Sequence, residues 1–291
     1  MTAQLPEESI LGVLKASTAR LSASGICSAL LDTRVIMAHV LNRDHAWLIG
    51  HGNEVFPHHL YKEYEGLIKR RELREPVAYL TGNREFWSLP FCVTPDTLIP
   101  RPDSELLVET ALKTIKENAG KVIDLGTGTG CLLLSLLNEM SSLKGIGIDI
   151  SLEAVAVAER NANTLGLLER SEFHVGSWNV GATLIAGGPF DIVISNPPYV
   201  PELEIESLAP DIRCFEPNYA LDGGGDGLDA YRMMSKALPR LLKPGGYFFG
   251  EFGLGQGEDL SEIISSSGLL IEGFENDISG HQRCIVARMA N

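Results

Sequence analysis

The sequence predicts an α/β protein: a mostly parallel sheet with an antiparallel C-terminal edge, preceded by a small all-helical domain. Three observations predict it. From residue 121 onward, short β-branched runs ending in glycine, acid or proline turns alternate with helical patterns. Residues 1–83 carry helical periodicity and few strand signals. The last two apolar runs, 269–274 and 283–289, are spaced to pair as an antiparallel hairpin at the sheet edge.

With 291 residues, 44% hydrophobic and 21% charged, the chain has room for one or two cores. No apolar run reaches a membrane span, and Glu7 and Glu8 stand where a secretory leader would carry lysines, so no membrane association and a cytoplasmic location are expected. Cys27, Cys92, Cys131, Cys214 and Cys284 include no C-x-x-C pair, which predicts neither a disulfide framework nor a zinc site; they are read as buried thiols. The net charge of -14 opposes attraction to a phosphate backbone, so free duplex DNA is not an expected partner. Lys69, Arg70, Arg71 and Arg74 are read as a solvated helix face rather than a nucleic-acid patch. A monomer is the expected form.

In the N-terminal domain, 1–83, Leu31, Val35, Ile36, Val40 and Leu41 recur at helical spacing, as do Leu60, Tyr64, Leu67 and Ile68. Its histidines, His39, His45, His51, His58 and His59, lack carboxylate or cysteine partners at ligand spacing, so no metal is expected. A domain without evident chemistry, joined to one that has it, is read as the part that recognises a partner. Residues 84–101, rich in aromatic residues and proline, form a hairpin and connector between the domains. The second domain, 102–291, opens on a helix over 103–118, with Pro102 in its first turn.

Lys121-Val122-Ile123-Asp124-Leu125 is then a strand running into Gly126-Thr127-Gly128-Thr129-Gly130 and a helix. Glycines there let the backbone turn tightly and approach a nucleotide-like cofactor at the head of the first strand. A dinucleotide fingerprint would need glycine at 131, where Cys131 stands, so a dehydrogenase is disfavoured. The loop, with Asp124 before it, resembles that of S-adenosylmethionine-dependent methyltransferases. Asp149 ends the next strand about 20 residues on, where a carboxylate binds ribose hydroxyls. Ser151 is the better helix cap. A third strand, 172–175, leads to Trp178, which fits equally against an adenine or in the core.

The fourth strand, Phe190 to Ser195, must stop at Asn196, because Pro197 and Pro198 cannot donate to a sheet ladder. Asn196-Pro197-Pro198-Tyr199 is therefore a stiff turn at the carboxyl end of a parallel strand. It suits a planar NH2 group: the Asn196 side-chain oxygen and the Pro197 carbonyl accept its hydrogens while the Tyr199 ring packs on its plane. Residues 201–229 form a long irregular segment fit to line or cover a substrate channel. Its acid-glycine run, 222–227, lacks calcium-loop spacing. A helix over 231–242, a turn at 243–246 and a fifth strand over 247–252 follow.

Together these residues resemble the release-factor glutamine methyltransferase (HemK/PrmC) family over nearly the whole chain. The motifs are Thr97-Leu98-Ile99-Pro100-Arg101-Pro102-Asp103-Ser104-Glu105, Asp124 to Gly130, Asn196 to Tyr199, and Glu216-Pro217 with Ala220-Leu221-Asp222-Gly223-Gly224 and Asp226-Gly227. The N-terminal helices fit the family's recognition domain. The resemblance implies a Rossmann-like class I methyltransferase sheet. It also implies transfer of a methyl group from S-adenosylmethionine, leaving S-adenosylhomocysteine, to the glutamine amide of the Gly-Gly-Gln motif in class 1 peptide-chain release factors, which modulates translation termination. Catalytic roles then fall on Asn196, Pro197 and Tyr199, and substrate contacts on these with Pro198. Cofactor contacts fall on Asp124, Gly126, Thr127, Gly128, Thr129, Gly130, Asp149, Trp178 and Asn196, with no metal. Where the family usually has an acid before the tryptophan, this chain has Ser177, which, or a neighbouring carbonyl, is expected to take its place. Asn-Pro-Pro-Tyr also occurs in DNA adenine-N(6) methyltransferases and a ribosomal-protein glutamine methyltransferase, so those readings stay beside the first, as does a non-catalytic binding module of the same fold.

Overall fold

The structure, a computed structural model, describes residues 8–115, 119–178 and 188–291. It divides into two compact units, one running to Gly82 and including Pro210–Phe215, the other comprising Asn83–Ala209 and Glu216–Asn291.

The first unit is helical: α1 (Ile10–Ala23), α2 (Ala29–Leu41), α3 (His45–Gly50), α4 (Tyr61–Glu72) and α5 (Val77–Thr81). Ser9 and Asp44 cap α1 and α3 by accepting from the Gly12 and Trp47 N–H groups, which satisfies donors that the first turn leaves free. Leu21, Ile36, Met37, Tyr64 and Ile68 are wholly buried in one core. The buried face of α2 is Asp32, Thr33, Ile36, Met37 and Val40, so Leu31, expected in the core, is 58% exposed. An ion pair explains the offset. Arg71 Nε lies 2.7 Å from Asp32 Oδ2, and Arg71 Nη1 2.7 Å from Asp211 Oδ2. Arg71 is therefore buried and does not belong to the solvated face that the sequence predicts, because opposite charges on two helices hold it there. Arg74 Nη2 donates to the Ser24 and Gly25 carbonyls, and only Lys69 and Arg70 stay exposed.

The second unit begins with a hairpin, β1 (Asn83–Phe86) and β2 (Leu89–Cys92). Trp87 and Ser88 at its tip have φ of 52° and 57°, the two-residue turn that matches strand twist but disfavours such side chains. Glu105 and Glu139 fasten it by accepting from the Trp87 N–H and Nε1–H. A 3-10 turn over Pro102–Ser104 leads into α6 (Glu105–Thr114), shorter than expected. Ile115 is already extended, which turns the chain toward the strand at 121; the rest of the predicted helix, 116–118, lies outside the described residues.

Seven strands form the main sheet: β3 (Lys121–Leu125), β4 (Lys144–Asp149), β5 (Ser171–Val175), β6 (Phe190–Ser195), β7 (Leu242–Glu251), β8 (Leu269–Asn276) and β9 (Gln282–Met289). Their order is β5-β4-β3-β6-β7-β9-β8. The first five are parallel, while β9 runs antiparallel to both β7 and β8. Side chains alternate between two cores. Val122, Ile192, Ile194 and Phe249 face α6, α7 (Cys131–Glu139) and α8 (Leu152–Thr164), and Ile123, Leu125, Val193 and Phe248 face the later helices. This is the period-2 pattern of strands buried on both faces. The predicted 231–242 helix is two short ones, Asp229–Met234 and Leu238–Leu241. Pro239 divides them, since its ring would clash with the carbonyl four residues back in a continuous helix. Residues 243–246 belong to β7, whose register against β6 shifts there.

Of the five cysteines only Cys284 is buried, and Cys27 and Cys214 are exposed, against the expectation of buried thiols. Cys27 sits in the turn before α2 and Cys214 follows the short helix Pro210–Arg213, where the chain lies at the surface. Among the described residues no helix is long and apolar enough to cross a membrane, and no cluster of three or more His, Cys, Asp or Glu is placed to hold a metal.

Candidate active site

The sheet order reverses between β3 and β6, and the loops leaving their carboxyl ends diverge there to open a crevice. Beyond β3, Gly126 and Thr127 both donate to the Ile148 carbonyl, at 2.8 and 2.9 Å. Gly126, Gly128 and Gly130 have φ of 75°, 54° and 78°, conformations that a side chain disfavours. Nothing lies within 4 Å of where a β-carbon on Gly128 would stand, so its backbone faces open space. Asp124 is buried beneath the loop and accepts from Thr127 Oγ1 at 2.7 Å. Burial pushes its carboxyl up to about 7, the Thr127 hydrogen bond opposing and the Asp149 charge adding.

Asp149 closes the loop from β4. Its Oδ2 accepts the Gly128 N–H at 2.8 Å and its Oδ1 the Ser151 N–H at 3.0 Å. Burial raises its carboxyl, and these backbone donors hold it down. Ser151 caps α8 as expected, its Oγ accepting from the Ala154 N–H at 3.1 Å. Trp178 touches both settings read from the sequence: it is half-buried against the core and stands beside Gly126, whose β-carbon would meet its ring at 3.6 Å.

From the other side, Ser195 Oγ donates to the Leu125 carbonyl at 2.6 Å, tying the end of β6 to the end of β3. Asn196 follows and donates from Nδ2 to Ser104 Oγ at 2.9 Å. Tyr199 donates from its hydroxyl to Glu251 Oε1 at 3.0 Å. Its backbone carbonyl accepts from Gln256 Nε2 at 2.9 Å, and Val200 pairs with Asp222 in a short bridge. The connector contributes Arg101, whose Nη2 lies 2.5 Å from Glu216 Oε1, while Glu216 Oε2 accepts the Ile99 N–H at 3.1 Å. Burial raises the Glu216 carboxyl and Arg101 opposes it.

A cleft of about 750 Å³, its mouth included, lies between these loops. Gly126, Thr127, Gly128, Thr129, Asp149, Trp178, Asn196 and Pro198 line it, so most of the residues singled out in the sequence come together. Asp124, Gly130, Pro197 and Tyr199 are not in its wall. Asp124 supports the loop from below, Gly130 packs against Leu134 and Ala158 of neighbouring helices, and the Tyr199 ring lies over Gly253. The sequence reading assigned no role to Glu251, Gln256, Ser104 or Tyr219. Glu251 could have been found: it is the one charge inside the apolar strand Tyr247 to Phe252, where an acid is costly unless it is used.

An open sheet with a glycine loop and an Asn-Pro-Pro-Tyr turn meeting at its switch point defines a methyltransferase. Residues 116–266 match the family described as a methyltransferase domain, and residues 12–82 the PrmC N-terminal domain. The fold is similar to the crystal structure of a methyltransferase from Pyrococcus furiosus, with a TM-score of 0.52 at 16% identity, covering 79% of this chain and 100% of that one. Among curated proteins, the release factor glutamine methyltransferase of Rhodospirillum rubrum is 42% identical over 92% of this chain and 82% of its own. That of Cereibacter sphaeroides is 40% identical over 95% and 97%, and that of Vibrio cholerae 39% over 94% of each. The chain belongs to the release factor glutamine methyltransferase family.

Proposed function

We propose that the chain transfers a methyl group from S-adenosylmethionine to the side-chain amide nitrogen of the Gly-Gly-Gln glutamine of a class 1 peptide-chain release factor, in the cytoplasm. The observation that carries this reading, beside family membership, is the Asn196 side chain. Its Nδ2 is engaged by Ser104, which leaves Oδ1 to accept from an NH2 group in the cleft.

The cleft fits the cofactor. The open backbone face of Gly128 admits a close approach, Ile150 is 60% exposed in the cleft wall, and Asp149 closes β4 where a ribose would lie. Gly126, Thr127, Gly128, Thr129, Asp149 and Trp178 would hold it, with Asp124 and Gly130 shaping the loop. When bound, the sulfonium supplies an activated methyl group and a good leaving group, so the protein need not provide a nucleophile or a metal.

What the chain's own residues supply is orientation. An amide nitrogen is a weak nucleophile because its lone pair is delocalised. Accepting its hydrogens at Asn196 Oδ1 and at the Pro197 carbonyl would fix its plane and face. Positioning of that kind supplies roughly 7–11 kcal/mol in favourable cases. The nitrogen gains the methyl and releases one proton to water. Tyr199, bonded to Glu251 and packed on Gly253, steadies the turn rather than stacking on the substrate. The helical unit, matching the PrmC N-terminal domain, takes the role of recognising the release factor.

The test is methyl transfer from labelled S-adenosylmethionine to release factor, ribosomal protein and duplex DNA in parallel, with the product located by peptide mass spectrometry. Label confined to the Gly-Gly-Gln glutamine is expected. Label on DNA or ribosomal protein with release factor blank would overturn the substrate, and no label anywhere would favour a binding module.

A further inference from the structure

We infer that Asn161, buried in α8, is a positioning residue for the cofactor: its side-chain amide clamps the glycine loop to the start of the connector and so ties two segments of the cleft wall together. The inference rests on the cofactor reading above. A polar side chain on the buried face of a helix is costly unless its groups are paired. Asn161 is 1% exposed and lies on such a face, beside Ala158 and Ala162. Its Oδ1 accepts the Cys92 N–H at 2.7 Å, and its Nδ2 donates to the Cys92 carbonyl at 3.0 Å and to the Thr129 carbonyl at 2.9 Å. Both amide hydrogens and an oxygen lone pair are thereby used. The partners also fix the orientation of the amide. Turned over, it would set Nδ2 against the Cys92 N–H and Oδ1 against carbonyl oxygens.

These bonds reach 69 residues back to the end of β2 and 32 residues back to the glycine loop. At Cys92 the side chain exchanges a donor and an acceptor with the backbone, as a neighbouring strand would. From Cys92 the chain runs directly into the connector, whose Asp96, Thr97, Arg101 and Ser104 line the cleft. Thr129 lines it too, from the glycine loop. One turn earlier on the same face of α8, Ala158 supports the next residue of that loop: a β-carbon on Gly130 would meet the Ala158 β-carbon at 3.3 Å. The helix therefore holds the loop at two consecutive residues, by hydrogen bond at Thr129 and by contact at Gly130, and Asn161 carries the link on to Cys92. Asn161 is not itself in the cleft wall, so it acts on a ligand only through the residues it holds.

Asn161→Asp keeps the size of the side chain and its acceptor for Cys92, but a carboxylate cannot donate to either carbonyl. Asn161→Leu removes all three bonds. The control is Leu143→Ala, at a wholly buried residue just before β4 and so at the end of that strand away from Asp149, which costs stability without touching the clamp. Thermal unfolding establishes that each variant folds. Calorimetric titration of the full chain with S-adenosylhomocysteine should show a loss of about tenfold or more in affinity for both Asn161 variants, against less than about threefold for Leu143→Ala. In methylation of release factor the loss should fall on KM for S-adenosylmethionine, with kcat at saturation little changed. One measurement needs no variant at position 161. In protein labelled with 15N-cysteine, the Cys92 amide resonance, assigned through Cys92→Ser, should move when S-adenosylhomocysteine binds, although Cys92 is outside the cleft wall. A Cys92 resonance indifferent to bound S-adenosylhomocysteine, affinity unchanged in the folded Asn161 variants, or an equal loss in Leu143→Ala each overturns the inference alone. No binding of S-adenosylhomocysteine by the unaltered chain would strike the cofactor reading and the inference with it.

Discussion

Gly227 lies so close beneath the Tyr199 carbonyl that a β-carbon on it would stand 2.2 Å from that oxygen and 2.3 Å from Gln256 Nε2. Its φ of 80° is itself unfavourable for a side chain. Gly227→Ala must therefore push the Asn-Pro-Pro-Tyr turn or its support aside. We expect a loss of about 1–3 kcal/mol in urea unfolding, as for overpacking, together with a fall in methyl transfer. Full activity in a stable Gly227→Ala protein would show that the turn tolerates displacement.

Asn196→Ala removes the acceptor presented to the cleft while leaving the glycine loop and Asp149 in place. Turnover should fall by at least about a hundredfold, in the range seen when a single preorganised contact is lost. S-adenosylmethionine affinity by calorimetry should change only a few-fold. Comparable losses in both would assign Asn196 to the cofactor.

Asp149 ties its carboxylate to Gly128 and Ser151, so Asp149→Ala disturbs both the loop and the proposed ribose contact. Affinity for S-adenosylmethionine should drop more than about tenfold, or 1.4 kcal/mol. Affinity unchanged in a titration would remove Asp149 from the cofactor site.

Burial raises Asp124 from 3.8 to about 7. Between those values the folded protein holds a proton that the unfolded chain has released, so this group's contribution to stability falls as pH rises through that window and levels off above it. Asp124→Asn cannot titrate. Urea unfolding between pH 4.5 and 7.5 should show a shallower decline for the variant, by up to about 1.4 kcal/mol per pH unit. Parallel curves would mean that Asp124 stays ionised throughout.

Arg71 bridges Asp32 and Asp211, and its side chain is 5% exposed, against 26% for Asp211. Asp32→Ala leaves a buried guanidinium without its enclosed partner and should cost about 3–5 kcal/mol in thermal or urea unfolding. Asp211→Asn, at the more exposed end, should cost clearly less. Equal losses would show that the segment at 211 carries as much of the pair as α2 does.

The parts of this molecule legible in the sequence were those governed by local rules. Pro197 and Pro198 had to end β6, and the glycines at 126, 128 and 130 had to turn the backbone, so the two loops of the cleft could be placed before any contact was known. Ser151 was recognisable as a cap from its position alone. What stayed hidden depends on partners distant in the chain. Arg71 is buried because Asp32 and Asp211 meet it, and no pattern within α4 states that. Ser104 and Asn196 are 92 residues apart, and Tyr199 and Glu251 are 52 apart. Neither pair follows from periodicity. The residue type of Tyr199 suggests a ring packed on an amide plane, while the residues that hold it, Glu251 and Gly253, follow from no local pattern.

Strand β9 is last in the chain but lies between β7 and β8, and Cys284 pairs with Glu251 in the register. During synthesis, which proceeds from the N-terminus, β7 must wait with one edge bare until residues 282–289 have emerged. The glycine loop and the Asn-Pro-Pro-Tyr turn are complete long before that. A nascent chain therefore acquires its cofactor-side loop first, and the backbone that holds Glu251 gains its second neighbour only with the final strand.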